Sequence, residues 1–426
     1  MKYILVILTF LLIVKNGFTQ TGSVYIITAN GAVAGGDFLC TKSIQQTIDE
    51  CYKKGGGTVY VPADIYKTGT IFLKSNVSLY LETGAVLKGS ENLADYFEYI
   101  LPEFGKNYYG LVYTDSAVNV SITGQGIIDG NNQVFFDWDK AKKIEWGGKQ
   151  FTRQKDNFSK VQQGVGDGPV TPKDRPRQMI VFARCRNVDV KNVQLLNSPF
   201  WTLYFADCDG VAVSGIRLFT NMLVPNADGI DITSCSNVVI SDCDIRAGDD
   251  AIAITGYDHH FEIPGYHRIR HISENIVISN CNLQSFSSAI RIGFLDQNTV
   301  RNIQVSNVNI TNSSRGIGIF VRDEGSLENI SFSNMYIQTA LHTGDWWGNG
   351  EPIHISAVRG NDNVKLGQIK HVQFSNIICK GENGMLLYGS AESIIEDVSF
   401  SNVRFEFTDS KLNEVAGVMW IYEVAV

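Results

Sequence analysis

The chain has 426 residues, 44% of them hydrophobic and only 19% charged, with 40 glycines and a formal charge of −8. So much glycine beside so little charge argues against a helical bundle and for strands joined by tight turns. The acidic balance argues against nucleic-acid binding, which needs a basic face, yet it leaves room for an anionic substrate gripped by a few local cations.

Residues 1–19 read as an export signal. Lys2 supplies the positive start, residues 3–14 form an apolar run, and Gly17 and Thr19 are small residues at cleavage positions. The run is too short for a comfortable membrane span. The expectation is therefore a single mature unit, residues 20–426, secreted or periplasmic, with no membrane span. Residues 41–54 carry apolar spacing that suits a helix, with Thr41 as its cap and residues 55–57, all glycine, as its stop. Such a helix would close the open end of a repeat array.

From residue 185 a phrase recurs: a polar residue, an aliphatic alternation, Ser-Asn or Asp-Cys, then a second alternation. Examples are CRNVDVKNVQL at 185–195, CSNVVISDCDI at 235–245 and RNIQVSNVNI at 301–310. Alternation with period two marks a strand with one buried face, and the polar centre marks a bend between two short strands. The first aliphatic residues of the phrases are Val188, Val211, Val238, Ile276, Ile303, Ile330, Val372 and Val398. Their spacing stays in the twenties except where loops intervene, which is the arithmetic of a β-solenoid coil. The predicted class is all-β, a right-handed parallel β-helix.

The cysteines fit this pattern. Cys185, Cys208 and Cys235 open three successive phrases, and Cys243 and Cys281 close two. They read as an inward ladder of small apolar side chains, although export would also permit disulfides. Together with Cys40, Cys51 and Cys379 they form no CxxC pair, so no zinc site is expected. Three stretches break the repeat: 137–177, 255–271 with four of the seven histidines, and 339–360 with Trp346 and Trp347. Long insertions in a solenoid tend to wall a binding cleft on one side.

Two short segments carry chemistry, PNADGIDI at 225–232 and AGDDAIAI at 247–254. Asp228 and Asp249 are 21 residues apart, about one coil, so they fall on neighbouring rungs with Asp250 beside them. Three close carboxylates cannot all ionise cheaply, so at least one must hold its proton more tightly, as a general acid requires.

These segments, with SIQQTIDECYKKGGGTVYVPADIYKTGTIFLKSNVSLYLETGAVLKGS at 43–90, GQGIIDGNN at 124–132, RPRQMIVFARCRNV at 175–188 and LLNSPFWTLYFADCDGV at 195–211, resemble glycoside hydrolase family 28, the polygalacturonase-like pectin hydrolases. The likeness runs from about Ala29 to about Gln338 and more weakly to the end. It implies a parallel β-helix and inverting hydrolysis, with Asp249 as the acid, Asp228 and Asp250 holding and activating water, and Asn226 orienting the site. Inversion with a water between two carboxyl groups asks for a separation of roughly 6.5–9.5 Å.

The sequence also departs from the family. The family's Gly-His-Gly is absent from CNLQSFSSAIRIGF at 281–294, where Ser288 is assigned the histidine's place. The family's Arg-x-Lys pair is absent from RGIGIFVRDEG at 315–325, where Gly318 and Phe320 take those positions. The substitutes proposed for substrate binding are Arg291, Arg322 and His259, with Trp346 and Trp347 as a sugar-stacking wall and Tyr388 as a further aromatic of the same kind. The expectation is a hydrolase of a plant or algal polysaccharide, pectin-like or another acidic or galactose-type glycan, acting as a monomer without cofactor or metal. A lyase of the same fold and a non-catalytic carbohydrate-binding solenoid are the alternatives.

Overall fold

The structure is a computed structural model that describes residues 23–101, 105–141, 169–258, 271–342, 346–360 and 363–409. The repeated phrases form the predicted strands, and each coil adds one rung to a stack of parallel strands. A representative coil contains Ile230–Thr233, Ser236–Ser241 and Asp244–Ala247. In later coils the second and third strands run on through the bend as one, as in Val300–Ser313 and Leu327–Thr339. The eight aliphatic markers are register partners from coil to coil, Val188 with Val211 through to Val372 with Val398. All are buried except Val398 on the last described coil, which is half-buried.

The bends are built by asparagine. Asn275, Asn302 and Asn329 adopt the left-handed backbone region at the start of the phrase (φ 59°, 57° and 57°), and Asn280, Asn307 and Asn334 do so at its centre (φ 57°, 56° and 54°). Asparagine tolerates that region better than most residues. Its side-chain amide also bonds to the same position on the next coil: Asn302 Nδ2 donates to Asn275 Oδ1 at 3.2 Å, and Asn329 Nδ2 to Asn302 Oδ1 at 3.2 Å.

All eight cysteines are buried free thiols. The ladder of Cys185, Cys208 and Cys235 is knit by backbone N–H groups, Cys185 N donating to Cys208 Sγ at 3.4 Å and Cys208 N to Cys235 Sγ at 3.3 Å.

The helix Thr41–Lys53 covers the first coils and buries Ile44, Thr47, Ile48 and Cys51. Its N-cap differs from the expectation. Cys40 holds the cap position without a side-chain bond to the helix's first turn, and Thr41 is the first helical residue. The Thr41 hydroxyl instead accepts from Gly69 N at 2.8 Å, tying the helix to the first coils. No described helix is long and apolar enough to cross a membrane.

One sheet positions the site. It takes one strand from each of ten coils, among them Leu203–Ala206, Ile230–Thr233, Ile252–Thr255, Ser288–Phe294, Arg315–Val321 and Glu351–Ala357. The three irregular stretches all join this sheet at strand ends, before Ile180, after Thr255 and before Glu351.

Candidate active site

The turn entering each strand of that sheet delivers one side chain to the same place. Ile230 pairs with Ile252, which pairs with Ile290. Two residues upstream, Asp228, Asp250 and Ser288 stand in a column, and Gly229 N bonds to Asp250 O at 2.9 Å. Ser288 pairs with Arg315, and Arg315 with Glu351, so the column continues for two more coils. Asp228 is thus in line with Asp250, while Asp249 stands one residue before it.

One carboxylate oxygen from each of Asp228, Asp249 and Asp250 lies within 4.8 Å of the others. The three carboxyl groups thus converge on one place. The cause is the rung spacing of ~4.8 Å, which brings Asp228 and Asp250 together on adjacent strands. All three are buried, with 3%, 7% and 3% exposure respectively, and they open into a cleft of about 470 Å³.

Each carboxyl has a different environment. Asp249 accepts from Asp250 N at 2.9 Å and from Asn226 N at 3.3 Å, and the Ser287 hydroxyl also bonds to it. Burial, reinforced by the neighbouring Asp250 carboxylate, pushes its pKa up to about 7. Asp250 accepts from Ser288 N at 2.9 Å and forms an ion pair with Arg291. Asp228 is driven well above the usual carboxylate range by burial and then by Asp249, Asp231 and Asp250. Among the described residues its Oδ1 has no hydrogen-bond partner. Arg291 also donates to Gly293 O at 3.0 Å, and although burial opposes its charge, Asp250 holds its pKa well above the ordinary guanidinium value.

Beyond Ser288 the column becomes a buried polar chain. Arg315 donates to Ser288 Oγ at 3.1 Å and to Glu351 Oε1 at 2.6 Å. His354 Nδ1 meets Glu351 Oε1 at 3.2 Å, and its Nε2 meets Ser356 Oγ at 3.1 Å. Arg322 donates to Ser356 Oγ at 2.8 Å. Burial opposes the Glu351 charge, but Arg315, His354 and the backbone together outweigh it and the pKa falls to about 2. Burial pushes His354 down to about 4, so its imidazole is neutral near pH 7. Phe320 is flanked by the guanidinium groups of Arg315 and Arg322 at 5.1 and 5.2 Å.

Of the residues singled out from sequence, Asn226, Ser288, Arg291, Arg322, Trp346 and Trp347 line the same cleft as the three aspartates. Trp346 is also anchored, packing edge-on against Phe286 at 5.1 Å. Ser288 touches Asp250 through its backbone, whereas the hydroxyl that reaches Asp249 is that of Ser287. Tyr388 stands apart, 39% exposed on Leu386–Gly389 and outside the cleft lining. His259 lies outside the described residues.

Sequence reasoning missed Ser287, Trp201 and Arg175. Trp201 lines the cleft one coil before Asp228. Arg175 donates to Pro199 O at 2.6 Å and to Pro225 O at 3.0 Å, next to Asn226. Both lie in segments quoted above for their resemblance, but no spacing rule pointed to their side chains.

The fold and site together define a parallel β-helix with clustered aspartates in a cleft. The chain belongs to Glycosyl hydrolases family 28, whose family model matches residues 51–418. It is 28% identical over 243 residues to a probable polygalacturonase of Vitis vinifera, covering 54% of this chain and 44% of that protein. It is 28% identical over 261 residues to an exo-poly-alpha-D-galacturonosidase of Dickeya chrysanthemi, covering 55% and 42%. The chain thus spans less than half the length of these two curated relatives. In fold it is similar to a hyperthermoactive exopolygalacturonase from Thermotoga maritima, with TM-score 0.65 and 24% identity over 90% of this chain and 92% of that one. It is likewise similar to a polygalacturonase from Erwinia carotovora, with TM-score 0.67 and 21% identity over 92% and 95%.

Proposed function

We propose that the chain is an exported O-glycosyl hydrolase that cleaves a pectic or related polysaccharide. Asp249 protonates the leaving oxygen, and Asp228 with Asp250 holds and activates the attacking water. The observation that carries this reading is the contrast between Asp249 and its neighbour Asp250. Asp249 retains a proton up to about pH 7, while Asp250 is matched by the Arg291 guanidinium. A proton donor and a carboxylate thus stand side by side in one cleft. The export signal at residues 1–19 lies outside the described residues, and secretion belongs to this proposal.

Inversion is supported by how the carboxylates are held. Both Asp250 oxygens are bonded, one to Ser288 N and one to Arg291, which suits activating a water better than forming a glycosyl ester. Asp228 Oδ1, without a hydrogen-bond partner among the described residues, is the natural second contact for that water. The closeness of the three carboxyl groups favours a second reading, retention, in which one carboxylate attacks as nucleophile. A lyase would need a base to strip a proton beside a uronate. Arg291 suits that role poorly, because its charge is held by Asp250.

The test is proton NMR of the earliest products from a panel of pectic and algal polysaccharides. New reducing ends of inverted anomeric configuration are the expected result. Retained configuration would select the second reading, and unsaturated products would replace the hydrolase with a lyase.

A further inference from the structure

Arg175 reaches the aspartates from a different part of the chain. It lies near the end of the long irregular stretch 137–177 and precedes the strand Ile180–Ala183. Its guanidinium lies over the rings of Phe136 and Phe200 at 5.2 and 4.9 Å. Nη1 donates to Pro199 O at 2.6 Å and to Pro225 O at 3.0 Å, so one group ties together the turns that enter two successive rungs. Nη2 reaches Asn226 Oδ1 at 3.5 Å. Asn226 has a left-handed backbone, φ 55°, and its N–H is one of the donors to Asp249 Oδ2. The contacts therefore run from Arg175 through the 225–226 turn to the acid.

Charge points the same way. Three aspartates bring three negative charges, and Arg291 with Arg175 brings two positive ones. The surroundings of these groups are Arg177 beside Arg175, stacked on Phe200 at 4.2 Å, Asp231 beside Asp228, and Tyr257 beside Arg291. Burial pushes Arg175 down to about 9, so it remains a cation at neutral pH.

We propose that Arg175 is a positioning residue for the proton donor: it clamps the 225–226 turn against Asp249 and brings a second positive charge, beside that of Arg291, to the aspartate cluster. The role in catalysis rests on the hydrolase reading. The charge role can be measured without it.

Two experiments separate these parts. The first is kcat and KM against pH for the wild type, Arg175→Gln and Arg175→Lys on the polysaccharide that the wild type cleaves. Loss of the cation raises the proton affinity of Asp228 and Asp249, so both limbs in Arg175→Gln move to higher pH by about one unit. At the wild-type optimum kcat falls about tenfold with little change in KM. Arg175→Lys keeps the charge but cannot span two carbonyl groups, so its limbs stay in place while kcat drops. Unmoved limbs in Arg175→Gln, or a change confined to KM, would overturn the proposal.

The second is an infrared titration of the protonated carboxyl band without substrate, with Asp249→Asn identifying the Asp249 contribution. The band persists to higher pH in Arg175→Gln than in the wild type. An unmoved band refutes the charge role whatever the activity. A moved band in a protein that cleaves nothing overturns the hydrolase reading and leaves the charge role standing. Should Arg175→Gln fail to fold by circular dichroism, Arg175→Lys decides: kcat equal to that of the wild type removes the clamp.

Discussion

Asp228 and Asp250 occupy the same place on adjacent coils, joined by the bond from Gly229 N to Asp250 O at 2.9 Å. Like charges one rung apart, with Asp249 beside them, are costly unless protons or cations offset them. Arg291 offsets one, and a proton retained on Asp249 offsets another.

This arrangement predicts the alkaline side of the pH profile. Asp249 donates only while protonated, and its pKa is about 7. Above that value kcat/KM should fall by about tenfold per pH unit. A profile flat to pH 9 would remove Asp249 from the role of acid.

The same carboxyl lowers stability at high pH. Its folded pKa is raised from 3.8 to about 7, so its favourable contribution is fully present below the unfolded value and is lost as pH rises through 7. Asp249→Asn should therefore melt higher than the wild type at pH 8, by the equivalent of about 2–4 kcal/mol. The two proteins should converge near pH 4. Thermal melts across that range check this, and equal melting at pH 8 would contradict it.

Glu351 has the opposite sign. Arg315 helps to hold its folded pKa near 2, so its contribution is present above the unfolded value of about 4.5 and is lost as pH falls through 2. Glu351→Gln leaves the Arg315 charge buried without its carboxylate and should cost about 3–5 kcal/mol at pH 7. Denaturant unfolding of both proteins at pH 7 and pH 3 measures it, with a smaller gap at the lower pH.

The asparagine ladder gives a test away from the site. Asn302, at φ 57°, bonds to Asn275 and Asn329. Asn302→Ala loses both bonds and strains the backbone, costing about 1–2 kcal/mol. Asn302→Gly keeps the backbone relaxed and should cost less. Urea midpoints compare the two, and alanine matching or exceeding glycine would show that the left-handed bend is not what asparagine provides there.

Most of the fold was legible because period-two alternation is a local signal. The eight aliphatic markers found by phrase alone are the register partners of the solenoid. The aspartate cluster was legible because Asp228 and Asp249 are one coil apart. The finer pairing was not, since choosing Asp250 over Asp249 as the partner of Asp228 depends on a shift of one residue in register. The hydroxyl beside Asp249 belongs to Ser287 for a similar reason. Arg175 was illegible because its contacts cross from one turn to others 24 and 50 residues away, and no periodicity encodes a long side chain's reach. The Thr41 cap was misassigned because its hydroxyl found a partner on the first coils, at Gly69 N, instead of the helix's own backbone.

The most direct test of the aspartate assignment is release of reducing ends from the preferred polysaccharide by wild type and Asp249→Asn at equal folded concentration. The predicted result is release by the wild type and a loss of roughly a hundredfold or more in the variant. Equal release by both proteins would contradict the role given to Asp249.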